Sequence, residues 1–394
     1  VSDSQRHDRV QTRAVHIRAS VPEGSVPAAV PLYQTSLFTF EDLPTFADAW
    51  SKPDGAFTYS RFGNPTTKAF EDAVADLEGG SSAMATASGM GAVSTVLLSL
   101  LRTGDHVLAQ RGLYGGVFTL LADLCERWGI EVTYLDAEDP AEVAAACRPT
   151  TRMLYLETIA NPLGQVCDLP AFTSAAQRAG LITVVDNTFA SPVLCHPLRH
   201  GADVVVHSTT KYIGGHSDVV GGIIVVKDQE LASTLWRRGT ELGACADPFA
   251  AWLSIRGLQT LPVRMRQHCA NAEVVATRLT EHPKVARVYW PGLPDHPSHA
   301  TARALLDGYG GVVAFDLHGG MEAARSFTSR IRLASLAPSL GGVGTTVLHP
   351  ASISHSGMDP DALRAAGIDQ GTVRVAVGLE HPEDLWSDLA QALD

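Results

Sequence analysis

The sequence predicts an α/β fold, with a large domain on a mostly parallel sheet and a smaller C-terminal α+β domain. Three observations carry this. Between about residues 67 and 240, short apolar strands alternate with helix-period segments, the pattern of strand–helix–strand units. Those strands are apolar on both faces, as a sheet covered by helices on each side requires. Beyond about residue 265 the grain changes to strands such as VARVYW and GVVAFDL with helices between them. At 394 residues the chain exceeds what one hydrophobic core usually supports. The expected organisation is an N-terminal arm over 1–60, a large domain over 61–260 and a small domain over 261–394.

The elements follow in order. Residues 1–60 are rich in Pro, Ser and Thr and read as an extended arm. TKAFEDAVADLEGG places Phe70, Val74 and Leu77 near helical spacing, and Gly79-Gly80 ends that helix. SAMATAS (82–88) is a short strand, and GMGAVSTVLLSLLRTGD a buried helix closed by Gly104. HVLAQ is a strand, and YGGVFTLLADLCERWG a helix ending at Gly129. EVTYLD, RMLYLE, ITVVDNT and DVVVHS are strands separated by helical stretches such as PAFTSAAQRAG. PFAAWLSIRGLQT and PVRMRQHCANAEVVATRLTEH are helical, TVRVAVGL is a strand, and EDLWSDLAQALD closes the chain. There is no internal repeat.

Composition narrows the function classes. The formal net charge of -12 argues against a nucleic-acid binder, which normally shows a basic face, and against an anionic membrane surface. Six cysteines, scattered from Cys125 to Cys269 without a CxxC, point to reduced thiols and not a disulfide framework. VSDSQRHDRVQTR lacks an apolar h-region, and the longest apolar run, AVSTVLLSLL, is too short to span a bilayer. A soluble cytoplasmic protein is the expectation.

In open parallel sheets, ligands gather at the carboxyl ends of the strands. After SAMATAS come Ser88, Gly89, Met90 and Gly91, where a helix N-terminus favours a phosphate. After RMLYLE come Glu157, Thr158 and Asn161-Pro162; after ITVV come Asp186, Asn187 and Thr188; after DVVV come His207, Ser208, Thr209, Thr210 and Lys211. These ends offer a phosphate cradle, an acid, hydroxyls and an amine, the set that pyridoxal 5'-phosphate (PLP) needs. Tyr114, at the start of a helix, can stack on a pyridine ring. Alone, each residue has a plainer reading. A lone lysine after a strand is usually solvated, Asp186 could cap a helix, and SGMG is a weak signal. His349 and His355 of HPASISH read as structural, since no third metal ligand sits at a sensible spacing.

Taken together, PLYQTS (31–36), YSRFGNPT (59–66), ASGM (87–90), YGG (114–116), ETIANP (157–162), VVDNTFASP (184–192), HSTTKYIGGHSD (207–218), SLGG (339–342), HPASISH (349–355) and VRVAVGLE (373–380) resemble the Cys/Met-metabolism PLP-dependent enzymes. That family includes the cystathionine lyases and synthases and methionine γ-lyase. The resemblance implies an aspartate-aminotransferase-like, fold-type-I architecture and a homotetramer of two tight dimers with shared active sites. It implies Lys211 as Schiff-base lysine and proton carrier, Asp186 on the pyridine N–H, and Asn161 on the ring hydroxyl. Gly89, Met90, Ser208 and Thr210 would hold the phosphate, joined by Tyr59 and Arg61 from the neighbouring subunit. Tyr114 would stack on the ring and serve as acid/base at the γ-leaving group. Arg374, with Ser339 nearby, would clamp the substrate α-carboxylate, and Glu157 would belong to the substrate side. A planar guanidinium suits carboxylate pairing better than a lysine.

Two departures bear on the substrate. After Tyr114-Gly115-Gly116 the cystathionine enzymes usually carry a polar segment with an arginine; here Val117-Phe118-Thr119 follows. After SLGG they often carry x-Glu-Ser; here it is Val343-Gly344-Thr345. The pocket is expected to be less charged, favouring a thioether with a small apolar tail. Methionine γ-lyases, however, usually have a cysteine where this chain has Gly116. The expectation is γ-elimination on methionine, homocysteine or cystathionine, giving 2-oxobutanoate, ammonia and a thiol or cysteine. The alternative is γ-replacement on an O-acyl-L-homoserine of the cystathionine γ-synthase type, and the outside option is a non-catalytic PLP-fold protein.

Overall fold

The computed structural model describes residues 9–17, 26–52, 56–136, 139–354, 363 and 367–394. Seven strands form the large sheet: β1 (Ser82–Thr86), β2 (His106–Gln110), β3 (Glu131–Leu135), β4 (Thr151–Glu157), β5 (Ile182–Asp186), β6 (Val204–Ser208) and β7 (Gly222–Val226). Their order is β1-β7-β6-β5-β4-β2-β3. Pairings from β6 through β3 are parallel, and β7 runs antiparallel to both β6 and β1.

Alternate strand residues enter opposite cores. Leu154, Val185 and Val205 pack with Phe70 and Phe172 of the helices Pro65–Glu78 and Leu169–Arg178. Tyr155, Val184 and Val204 pack with Val96 and Leu121 of the helices Gly89–Leu100 and Gly115–Trp128. Burial on both faces explains why these strands lack a polar alternation. From β2 the chain passes outward to β3, then returns to β4 on the other side. That reversal opens a crevice at the carboxyl ends of β2 and β4, the usual ligand position in such sheets.

A second sheet holds β8 (Val285–Tyr289), β9 (Val312–Leu317), β10 (Ser335–Leu336), β11 (Thr346–Leu348) and β12 (Thr372–Ala376), in the order β10-β11-β12-β9-β8. Val313, Phe315, Val373 and Val375 bury one face against Phe327 and Leu389 of the helices Gly320–Arg330 and Pro382–Leu393.

The stretch before residue 60 is less extended than its composition suggests. Helices form at Val10–Val15 and Leu43–Ser51. The second starts where Asp42 accepts a hydrogen bond from the Thr45 N–H at 2.8 Å, with Pro44 in its first turn. Only Ala49 of this helix is buried, and its apolar stripe of Leu43, Phe46 and Trp50 stays exposed. The intervening chain lies on its own large sheet unit. The Tyr33 N–H donates to Thr66 Oγ1 at 2.9 Å, and the Trp252 indole N–H to the Val30 carbonyl at 3.0 Å.

Candidate active site

Five strand ends of the large sheet, with one loop and one strand of the second sheet, meet around Lys211. After β1, Ser88 caps the helix Gly89–Leu100 by accepting from the Gly91 N–H at 2.9 Å. The Gly89 and Met90 N–H groups lie in the first turn, which has no intrahelical acceptor. A Cβ at Gly89 would stand 2.6 Å from Ser208 Cβ, so only glycine lets this helix start reach the end of β6. The Ser208 N–H donates to Thr188 Oγ1 at 2.9 Å. Thr210 Oγ1 accepts from the Gly221 N–H at 3.1 Å and lies 3.3 Å from the Gly221 carbonyl. Its hydroxyl is therefore engaged by the loop that leads into β7.

Glu157, at the end of β4, is buried and accepts from the Tyr114 N–H at 2.6 Å. Burial raises its carboxyl well above the usual range, and the nearby Asp186 adds to this, while backbone N–H groups of Tyr114 and Asn161 oppose it. Glu157 thus anchors the backbone of Tyr114. The Tyr114 ring is half exposed and lies against Gly116, where a Cβ would come 2.6 Å from Tyr114 Cε1. Asp186, at the end of β5, accepts from the Thr188 N–H at 2.9 Å. Burial raises its carboxyl too, and the Thr188 hydrogen bonds and the potential of His207 pull it back.

The loop before β11 closes the site. Lys211 Nζ lies 2.7 Å from Ser339 Oγ. Burial, and then the Arg374 charge, lower the Lys211 amine to about 8. Ser339 holds a left-handed φ of 88°, a strained conformation for a residue with a side chain. Arg374, on β12, donates to Asn161 Oδ1 at 2.8 Å and to the Ser339 carbonyl at 2.7 Å. Its Nε is buried without a partner among the described residues, and burial lowers the guanidinium to about 10. A buried guanidinium with an unused N–H is a ready receptor for a carboxylate.

Tyr59 and Arg61 stand apart from this group. Arg61 donates to the Thr240 carbonyl at 2.8 Å and stacks over Phe62, 4.4 Å from the ring centroid. Tyr59 is 41% exposed, and neither residue hydrogen-bonds another expected site residue. His349 contacts Ser352 Oγ at 2.8 Å and the Gln370 carbonyl at 2.9 Å, in keeping with a structural role; His355 lies outside the described residues. Among the described residues no group of three or more His, Cys, Asp or Glu could hold a metal, and no helix is long and apolar enough to cross a membrane. All six cysteines are free. Sequence reasoning passed over Thr188 as a ligand of Asp186, although it noted the residue at the strand end. Glu380, which accepts from the Thr345 N–H at 2.6 Å and Thr345 Oγ1 at 2.8 Å, carried no signal beyond its place in VRVAVGLE.

The donor set suits PLP. A helix N-terminus beside a serine can take a phosphate, a buried carboxylate can face a pyridinium, and a desolvated amine can condense with an aldehyde.

Comparisons agree. A family model described as Cys/Met metabolism PLP-dependent enzyme matches residues 11–394. An L-methionine gamma-lyase of Fusobacterium nucleatum subsp. polymorphum is 43% identical over 93% of both chains. An O-succinylhomoserine sulfhydrylase of Pseudomonas aeruginosa is 41% identical over 94% of this chain and 92% of its own. The crystal structure of a cystathionine gamma synthase from Xanthomonas oryzae pv. oryzae, in complex with aminoacrylate and cysteine, superposes with a TM-score of 0.93. It is 39% identical and covers 98% of each chain. The fold is that of the PLP-dependent fold-type-I enzymes, and the chain belongs to the Cys/Met metabolism PLP-dependent enzyme family.

Proposed function

We propose that the protein is a carbon–sulfur lyase that performs γ-elimination on a sulfur-containing L-amino acid, methionine foremost, releasing 2-oxobutanoate, ammonia and a thiol. The observation that carries the choice is the absence of a charged side chain in Val117-Phe118-Thr119 after Gly116 and in Val343-Gly344-Thr345 after the Ser339 loop; a cavity of about 310 Å³ lies next to the first of these, beside Asn161 and Gly115. Leu113, Phe118, Ala122, Leu163 and Ile368 give it apolar walls. Among the described lining residues Arg111 alone is charged, and its Nε already pairs with Asp136 at 2.8 Å. Uncharged residues at these two places suit a thioether tail better than a distal ammonium and carboxylate.

In this reading, Gly89, Met90, Ser208 and Thr210 hold the phosphate, Asp186 pairs with the pyridine nitrogen, and Asn161 meets the ring hydroxyl. When bound, PLP supplies an aldehyde for the amine and an electron sink. Arg374 binds the substrate carboxylate, using the N–H left free at Nε. Lys211, anchored beside Ser339 and lowered to about 8, is neutral often enough near neutral pH to take the α-proton. The Tyr114 hydroxyl, on a ring seated over Gly116, hands a proton to the departing γ-sulfur. A homotetramer with shared sites fits the placement of Tyr59 and Arg61, and it fits the exposed Leu43 and Trp50 on the arm.

The test is a panel of methionine, homocysteine and cystathionine with purified holoenzyme, assayed for 2-oxobutanoate. Turnover of methionine at the highest kcat/KM is expected. No keto acid from any of the three overturns the lyase reading. Efficient condensation of an O-acyl-L-homoserine with cysteine, in its place, makes the protein a γ-synthase.

A further inference from the structure

Beneath Asp186 four buried polar side chains converge from four separate elements. Glu78 ends the helix Pro65–Glu78, Thr158 follows β4, Asn187 follows β5, and His207 lies in β6. Glu78, Thr158 and Asn187 are 0% exposed and His207 is 1% exposed. Asn187 Nδ2 donates to Glu78 Oε1 at 2.9 Å and to the Cys195 carbonyl at 3.0 Å, while Asn187 Oδ1 accepts from Thr158 Oγ1 at 2.8 Å. Both donors and the acceptor of that amide are used, so its orientation is determined. His207 Nε2 lies 2.6 Å from the same Glu78 Oε1.

The backbone is held at the same place. The Thr158 N–H donates to the Asp186 carbonyl at 3.0 Å, and the Asn187 N–H to the Val206 carbonyl at 2.9 Å. The peptide joining Asp186 to Asn187 is thus pinned from β4 and β6, and the Asn187 side chain pins it from below. Thr188 then fixes the Asp186 carboxylate from the other side.

This arrangement is a poor stabiliser. Glu78 Oε2 and His207 Nδ1 are buried without partners among the described residues. Each such orphan carries a desolvation cost, and a buried ionic group is often matched or bettered by apolar packing. A buried polar cluster with orphaned atoms, set directly behind an acid of the site, calls for a role other than stability. Position is the role its bonds serve, because every one of them ends on a residue flanking Asp186 or on its neighbour strand.

We propose that Glu78 is the positioning residue of Asp186, acting through Asn187 and His207 to hold the Asp186 carboxylate in register with the pyridine nitrogen of PLP. The inference rests on the assignment of Asp186 to that nitrogen. The test compares Glu78→Gln and Thr158→Val with the parent protein and with Asp186→Asn. Cofactor-free protein is titrated with PLP for its Kd, and PLP labelled with ¹⁵N in the ring reports the protonation of the pyridine nitrogen by NMR. Glu78→Gln keeps an acceptor for Asn187 but removes the carboxyl group that His207 meets; Thr158→Val removes one hydrogen bond at nearly constant volume. Each is expected to raise the Kd by about tenfold, the scale of one lost buried hydrogen bond, and to move the ¹⁵N resonance toward unprotonated pyridine. An unchanged Kd and resonance in both variants overturns the proposal, whatever their thermal midpoints. If Glu78→Gln does not fold, Thr158→Val decides alone by the same readout. If Asp186→Asn leaves the resonance in place, the assignment beneath the proposal fails and the proposal with it.

Discussion

Lys211 Nζ sits 2.7 Å from the hydroxyl of Ser339, and the carbonyl of that same serine accepts from Arg374. One strained residue therefore sets the distance between the amine and the guanidinium, and the two cations share a buried space. Burial first, and then the Arg374 charge, lower Lys211 from 10.5 to about 8. In cofactor-free protein, the rate of amine-directed labelling at Lys211 should rise with a midpoint near pH 8. Between pH 8 and 10.5 the unfolded chain keeps a proton that the folded chain has lost. Stability of the cofactor-free fold should therefore gain from this group as pH rises through that window. Arg374→Met removes a repelling charge and should move the labelling midpoint upward. A midpoint that stays near 10.5 in the parent protein refutes the assignment.

Arg374→Lys tests the carboxylate clamp. The guanidinium fork serves Asn161 Oδ1 and the Ser339 carbonyl at once and still has Nε to offer. One ammonium cannot keep both anchors and meet a carboxylate in fixed geometry. We expect kcat/KM to fall by about a hundredfold, with most of the change in KM, since one or two charge-assisted hydrogen bonds are lost. Saturation kinetics with the preferred amino acid measure this. A change confined to kcat would place Arg374 elsewhere in the cycle.

Much of this was legible in the chain. The double-faced apolar strands announced the sheet, and the strand ends announced Gly89, Asp186 and Lys211, because a parallel sheet collects its ligand groups there. The anchors were not legible. Glu157 directs its carboxylate to the Tyr114 N–H, a contact across 43 residues that no local pattern encodes. Ser339 and Arg374 were reached through the family resemblance and not through a local pattern, since they come from the second sheet unit and approach Lys211 only through tertiary packing. The helix at Leu43–Ser51 was missed although Asp42, Pro44 and the spacing of Leu43, Phe46 and Trp50 mark it, because the Pro, Ser and Thr content of residues 1–60 was read as an extended arm. Gly89 and Gly91 share the SGMG stretch; the family resemblance set Gly89 apart, and the packing gives the physical reason.

That separation is itself testable. A Cβ at Gly89 would lie 2.6 Å from Ser208 Cβ and 3.0 Å from Ser208 Cα, which is backbone and cannot swing away. A Cβ at Gly91 would meet Ser88 Oγ at 3.3 Å and Ala244 Cβ at 3.5 Å, which small shifts relieve. Gly89→Ala should push the helix start off β6 and weaken PLP binding by about tenfold or more, by the usual cost of overpacking. Gly91→Ala should change the Kd for PLP by less than about threefold, within the range of mild core changes. Titrations of the two cofactor-free variants give the comparison, and equal losses would mean that the phosphate is not held at this helix start.

Tyr114 and Gly116 form a pair in the same sense. Glu157 fixes the Tyr114 backbone, and the ring then falls where any side chain at 116 would touch it, 2.6 Å from Cε1 and 3.2 Å from Cζ. Tyr114→Phe keeps the ring and removes the hydroxyl. If that hydroxyl delivers the proton to the γ-sulfur, kcat should fall by about a hundredfold, the lower range for a lost general acid, while the Kd for PLP stays near that of the parent. Gly116→Cys keeps the hydroxyl and displaces the ring, because Met90 Sδ at 3.3 Å leaves no room on the other side. It should lower kcat on methionine by several-fold and alter the ratio of methionine to cystathionine turnover, since the hydroxyl then meets the γ-substituent from a new position. Steady-state kinetics on both substrates decide the matter. Parent-like kcat values in Gly116→Cys would show that the ring finds its working position independently of the glycine beneath it.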